Sequence, residues 1–200
     1  MEDWYKSIEK PAEGIFRYRN SRFLAFGFPV TTVEEIHEIL GGIKRKYHDA
    51  RHHCYAYKLG FQKQIHRMND DGEPAGTAGK PIYSQLVYLD LTDTLAIVVR
   101  YFGGTLLGTG GLINAYRSAT ADMLTHAVIV QKFIEDRFIA SFPYTRLNSV
   151  MKVLKEYNLV PNQPEYDTQC TMNILVRKSL SVRFTEQLSI IPGVILEIKK

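Results

Sequence analysis

The stretch Val99-Arg100-Tyr101-Phe102-Gly103-Gly104-Thr105-Leu106-Leu107-Gly108-Thr109-Gly110-Gly111-Leu112 carries an apolar run into five glycines within nine positions. Glycine reaches positive φ and lets another molecule approach the main chain. A glycine loop that opens a helix presents unpaired N–H groups and the positive end of the helix dipole, which is the geometry of an anion site. Arg100 before the loop and Arg117 on the helix after it add fixed charge. Nucleotide fingerprints do not fit. No lysine stands between residues 81 and 131, as a Gly-Lys-Ser/Thr ending would need, and Ile113 occupies the place of the third glycine in Gly-x-Gly-x-x-Gly. Tight turns and close packing alone would use the same glycines.

Two further segments could take part. His52-His53-Cys54-Tyr55 holds zinc-type ligands, with His48 and Asp49 upstream, but no Cys-x-x-Cys accompanies them. Adjacent histidines on a strand point to opposite faces, so only one of them shares a face with Tyr55 and Tyr57. Cys54 reads equally as a small buried hydrophobe. Asp70-Asp71-Gly72-Glu73-Pro74 places three carboxylates in four positions, with Arg67 and Lys80 near it. Such a cluster could act as acid–base groups or bind Mg²⁺; it also reads as a solvated acidic turn. Arg17, Arg19 and Arg22 interleave with Phe16, Tyr18 and Phe23, a pattern shared by stacking RNA surfaces and by two-sided strands with aromatics in the core.

The elements that must hold these groups follow from periodicity. Alternating aromatics around Asn20-Ser21 predict two strands and a turn over 15–30. Thr32 and Glu35 have capping-box spacing at the start of a helix whose buried stripe is Val33, Ile36, Leu40, Ile43 and Tyr47. A strand is expected over 53–61, a turn-rich loop over 69–81, a short helix over about 81–90, a strand over 94–102 and a helix over about 111–126. From residue 134 the pattern restarts as strand 134–142, helix 146–157, strands 158–166 and 168–177 with a bend at Asn162-Gln163-Pro164, helix 181–191 and strand 194–199. That β-α-β-β-α-β order is the split βαβ unit of ferredoxin-like domains. The chain therefore reads as α+β with two domains, 1–132 and 133–200.

Composition sets the frame. At 45% hydrophobic and 23% charged residues the chain can bury a core, and its formal charge of +4 permits a nucleic-acid partner without demanding one. Two cysteines far apart make no disulfide scaffold. The polar start and the lack of a long apolar run give the expectation of a cytoplasmic protein without signal peptide or membrane span. No metal or cofactor is called for.

Taken together, Ser21-Arg22-Phe23, His53-Cys54-Tyr55-Ala56-Tyr57, Asp70-Asp71-Gly72-Glu73-Pro74 with Gly76-Thr77-Ala78-Gly79-x-Pro81, and Val99-Arg100-Tyr101-Phe102-Gly103-Gly104 with Leu107-Gly108-x-Gly110-Gly111-Leu112 and Ala115-Tyr116 resemble the IMPACT/YigZ family. The resemblance implies an N-terminal β-α-β domain like one in a ribosomal small-subunit protein and like domain IV of elongation factor G. It implies a second, ferredoxin-like domain similar to domain V of that factor. It also implies a part in translational control, which eukaryotic members exert by competing for an activator of a stress kinase. Asn20 and Asn114 stand where the family usually carries lysine and arginine.

The resulting expectation is a translation-associated regulator that binds RNA, the ribosome or a translation-control protein. Lys80, Arg100, Tyr101, Gly103, Gly104, Gly108, Gly110, Gly111 and Arg117 would form the contact surface. His53, Asp70, Asp71 and Glu73 would shape it. A small-molecule hydrolase or transferase using the acidic turn and the glycine loop is the alternative, and a protein-binding adaptor a third.

Overall fold

The computed structural model describes residues 3–61 and 65–199. Two compact units divide the chain, one of Tyr5–Lys132 and one formed by Phe133 onward together with the first residues up to Trp4. The fold is mixed α/β.

In the first unit, strands β2 (Ala12–Tyr18), β3 (Ser21–Pro29), β4 (His52–Leu59), β5 (Ile65–Asn69) and β6 (Thr94–Tyr101) form one sheet in the order β2-β3-β6-β4-β5, antiparallel at every pairing. Helix α1 (Val33–Lys46) covers one face through Ile36, Leu40 and Ile43, which pack on Phe26, Tyr55, Leu95 and Ile97. Helices α2 (Gly79–Tyr88) and α3 (Gly108–Thr125) cover the other, where Ile82, Leu86, Leu112, Tyr116 and Met123 meet Phe23, Cys54, Ala56 and Val98. With helices on both sides, β6 is buried from Thr94 to Arg100, which accounts for its unbroken apolar run. The capping box of α1 is present, Thr32 Oγ1 accepting from the Glu35 amide at 3.2 Å and Glu35 reaching back to the Thr32 amide at 3.4 Å.

Three features depart from the sequence expectation. Strand β1 (Trp4–Ile8) pairs with β7 (Ile129–Phe133) in a two-stranded sheet that the periodicity did not indicate. β5, all but its last residue exposed, lies at an edge and lacks the alternation of a half-buried strand. Helix α3 begins at Gly108 rather than 111, so Gly108, Gly110 and Gly111 belong to its first turn and not to a loop.

The second unit carries β8 (Glu135–Pro143), α4 (Leu147–Glu156), β9 (Asn162–Glu165), β10 (Gln169–Arg177), α5 (Lys178–Ser189) and β11 (Ile195–Lys199). Its sheet has the order β11-β8-β10-β9, antiparallel throughout, with Phe138, Phe142, Met172 and Ile174 packed under Val150, Leu154, Phe184 and Leu188. The strand expected over 158–166 is present but shorter, as edge strand β9, and its pairing with β10 shifts register by a bulge. Among the described residues no helix is long and apolar enough to cross a membrane.

Candidate functional site

Strand alternation divides the sequence candidates between the two faces of the sheet. At the end of β6, Arg100 follows Ala96 and Val98 to the side of α2 and α3, whereas Tyr101 follows Val99 to the side of α1. On β4 the same parity sends His52 with Cys54 to the α2–α3 side and His53 with Tyr55 to the α1 side. The single surface expected from His53, Tyr101 and the glycine run is thus two sites, back to back.

On the α2–α3 side a buried polar chain crosses the core. Arg100 Nη1 donates to Glu73 Oε1 at 2.6 Å, and the same oxygen accepts from the Tyr116 hydroxyl at 2.8 Å. Cys54 Sγ lies 3.3 Å from that hydroxyl and 2.9 Å from the Asp70 carbonyl oxygen. Phe23 meets the Tyr116 ring edge to face at 5.1 Å, and the guanidinium of Arg100 lies 5.5 Å from Phe23 and 5.6 Å from Phe102. Burial pushes the Tyr116 hydroxyl and the Cys54 thiol far above their ordinary ranges, and the Glu73 charge reinforces both shifts. Full burial and this upward shift both favour the protonated thiol of Cys54. Arg100, expected as an open phosphate contact, is committed to Glu73.

The acidic turn is mostly architecture. Asp70 Oδ1 accepts from the amides of Ala78 and Gly79 at 2.9 and 2.8 Å, and Oδ2 accepts from Gly76 at 2.9 Å. It caps α2 from nine residues away, which explains why that helix starts at Gly79 rather than 81 although Ala78 supplies no side-chain cap. Burial raises the Asp70 carboxyl, and the bonds from Gly76, Gly79 and Ala78 outweigh it, leaving the group below the usual carboxylate range. Asp71 Oδ2 accepts from the His53 amide at 2.7 Å and tethers the start of β4 to the turn. With both aspartates bonded to backbone, Glu73 is the carboxylate of this turn that lines the cavity at the α3 N-terminus.

The histidines are pinned by carbonyls, which can only accept. His52 Nδ1 donates to the Asp71 carbonyl oxygen at 2.8 Å, so the Nε2 of a neutral ring is a lone-pair acceptor, 4.0 Å from Glu73 Oε1. His53 donates from Nε2 to Tyr47 O at 3.0 Å, away from that cavity. Among the described residues no three His, Cys, Asp or Glu side chains converge as a metal site would need.

The cavity itself, about 420 Å³, lies where the ends of β6 and α3 meet. Arg51, His52, Glu73 and Arg100 supply its polar side; Phe102, Leu106, Leu107 and Leu112 its apolar side, with Gly108 and Thr109 at the helix end. Lys80 and Arg117 are exposed and line neither cavity described here. Gly103 is demanded by packing, since a Cβ there would sit 2.1 Å from the carbonyl carbon of Asn20. Gly104 and Gly108 sit at φ +83° and +69°. Sequence reasoning put His53 rather than His52 at this surface and left out Phe102, Leu106 and Thr109; the parity of β4 counted from Cys54 would have selected His52.

On the other side, the β2–β3 turn opens a cleft of about 580 Å³ lined by Arg17, Arg19, Asn20, Arg22 and Tyr101, with Tyr18 and Ser21 completing it. Arg17 pairs across the hairpin with Arg22, and Arg22 pairs with Tyr101 on β6, so the three form one row on one sheet face. The Arg22 guanidinium stands 4.6 Å over the Tyr101 ring, and Arg19 5.4 Å over Tyr18. Tyr101 donates its hydroxyl to Asp49 at 2.7 Å, which holds the ring in place and its hydroxyl above the ordinary phenol range. The string of arginines and aromatics divides by burial: Phe23 is core, while Arg17, Arg19 and Arg22 are exposed.

Residues 19–124 match the Impact N-terminal domain, and YvyE of Bacillus subtilis, an IMPACT family member, is 34% identical over 182 residues, covering 91% of this chain and 84% of its own. The chain belongs to the Impact family. YigZ of Escherichia coli, another member, is 33% identical over 156 residues, spanning 77% of this chain and 76% of its own. A crystal structure of a hypothetical protein aligns over 100% of this chain and 99% of its own with a TM-score of 0.73 and 26% identity. The Impact domain match takes in Arg19, Arg22, the Arg100–Glu73 pair and the whole glycine run; Arg17 lies just before it.

Proposed function

We propose that this Impact family protein is a translation-associated regulator that binds RNA through the arginine cleft of its first unit. The row Arg17–Arg22–Tyr101 carries the reading. Three exposed arginines surround a tyrosine face, a combination that suits phosphates and unstacked bases together. Two of those arginines stand opposite each other in a hairpin, a local cost that folding alone does not repay. Family membership supports the translational setting. This cleft replaces the surface expected around Arg100, whose charge is neutralised inside the core. The enzyme alternative loses support because Asp70 and Asp71 are bonded to backbone amides.

On this reading residues 1–132 are the Impact domain, resembling domain IV of elongation factor G. Residues 133–200 are a ferredoxin-like domain, which the strand order β11-β8-β10-β9 supports, and the protein works in the cytoplasm. Fluorescence anisotropy with a labelled single-stranded RNA, and cosedimentation with ribosomes, test it. Association at low salt that weakens as salt rises is expected from counterion release. Absence of association at low salt in both assays overturns it.

A further inference from the structure

We propose that the cavity at the α3 N-terminus is a separate small-molecule site for a carboxylate carrying a short apolar body. This inference is independent of the RNA reading, since the cavity lies on the opposite sheet face from the Arg17–Arg22–Tyr101 row.

Four observations converge. The first turn of α3 has no side-chain cap and no acidic residue, so its amides keep their donor capacity and the positive end of the dipole is uncompensated. Arg100, only 6% exposed, lines the cavity, and its Nε has no hydrogen-bond partner among the described residues. A buried guanidinium normally satisfies its donors, and the planar fork of arginine suits a carboxylate. The third observation is apolar: Phe102 and Leu106 are 47% and 83% exposed at the same cavity, where Leu107 and Leu112 extend the wall. Large exposed hydrophobics rimming convergent polar groups mark a ligand site. The volume of about 420 Å³ suits a small molecule and not a polymer.

Charge selects the class. Every titratable group facing the cavity is accounted for: Arg51, His52, Glu73 and Arg100. Glu73 cancels Arg100 at 2.6 Å. The surplus is Arg51 and the helix end, enough for one negative charge. A phosphate monoester would bring close to two charges toward Glu73, whereas a carboxylate brings one. The apolar wall favours a ligand with a hydrocarbon body over acetate.

The test is titration of hexanoate into the intact protein, read from the amide resonances of Gly108, Gly110 and Gly111. Saturable shifts with a Kd of about 1 mM are expected for a ligand of this size. Hexanamide should not produce them, and inorganic phosphate should bind more weakly than hexanoate. Thr109→Asp places a carboxylate at the helix end, is compatible with the fold because acids favour helix N-termini, and should weaken hexanoate at least tenfold. Leu106→Ala, at an exposed position, should weaken hexanoate several-fold and leave acetate unchanged. Unshifted glycine amides at about 10 mM hexanoate overturn the proposal, as do equal binding of hexanamide, tighter binding of phosphate, or full hexanoate affinity in Thr109→Asp.

Discussion

Arg17 and Arg22 face each other directly across the β2–β3 hairpin, two like charges in one cross-strand pair beside Tyr101. A neutral residue at either position relieves that repulsion, so Arg17→Gln should raise stability by about 0.2–1 kcal/mol in urea unfolding. The same change should weaken RNA and reduce the slope of log K against log salt by about 1 for each phosphate contact removed. A variant that gains stability while losing RNA separates a binding arginine from a structural one. Unchanged RNA affinity in Arg17→Gln and Arg22→Gln would remove the hairpin from the binding surface.

The Arg100–Glu73 pair obeys the opposite logic. Both side chains are at least nine-tenths buried, and either one alone would be an uncompensated charge in the core. Arg100→Met or Glu73→Leu should each cost about 3–5 kcal/mol, with the double variant recovering part of that loss. Tyr116→Phe removes the second donor to Glu73 and should cost about 1–3 kcal/mol. Urea melts of the wild type, the two single variants and the double variant give the Arg100–Glu73 coupling directly.

What the sequence disclosed, and what it hid, follows from the range of the interactions. The capping box of α1 and the buried run of β6 are local signals, and both stand where periodicity places them. The β-α-β-β-α-β order of the second unit was legible for the same reason. The start of α2 was not, because its cap is a carboxylate on Asp70, beyond any local capping pattern. β1 and β7 were hidden because their pairing spans more than a hundred residues. The site residues were recognised as a group, yet their partition was missed. Arg100 and Tyr101 are neighbours in sequence and sit on opposite faces by strand parity alone, whereas the neutralisation of Arg100 needed a tertiary contact with Glu73.

The Asp70 cap makes a pH-dependent contribution whose sign is fixed. Its carboxyl lies below the unfolded value of 3.8, so its ionised form is favoured by folding. That stabilisation is present above the unfolded value and is lost as pH falls through the lowered folded value. Asp70→Ala should therefore cost about 0.5–2 kcal/mol near neutral pH. The gap to the wild type should narrow as acid takes the pH below 3.8. Chemical denaturation at a series of pH values shows it; a gap that widens in acid would contradict the capping role.

Cys54 and Cys170 are both buried, and burial pushes the Cys54 thiol well above its ordinary range. Ellman's reagent at neutral pH should leave both unmodified in the native state and react with two equivalents after unfolding. Rapid native labelling of Cys54 would show that the Glu73–Tyr116–Cys54 chain opens to solvent.

The glycines of the signature separate by what surrounds them. A Cβ on Gly103 would meet the Asn20 carbonyl carbon at 2.1 Å and the Ser21 nitrogen at 2.3 Å, both backbone atoms that cannot turn aside. Gly103→Ala must push β6 away from the β2–β3 turn, and should cost about 1–3 kcal/mol or more while distorting the arginine cleft. Gly110, inside the first turn of α3, has nothing within 4 Å of such a Cβ. Gly110→Ala should leave the fold intact and stabilise it by up to about 1 kcal/mol through helix propensity. Paired urea melts test the contrast, and an RNA titration of the same variants localises it. Gly103→Ala should lose RNA affinity with stability, because its strain falls on Asn20 and Ser21 in the cleft, whereas Gly110→Ala should keep RNA affinity whole.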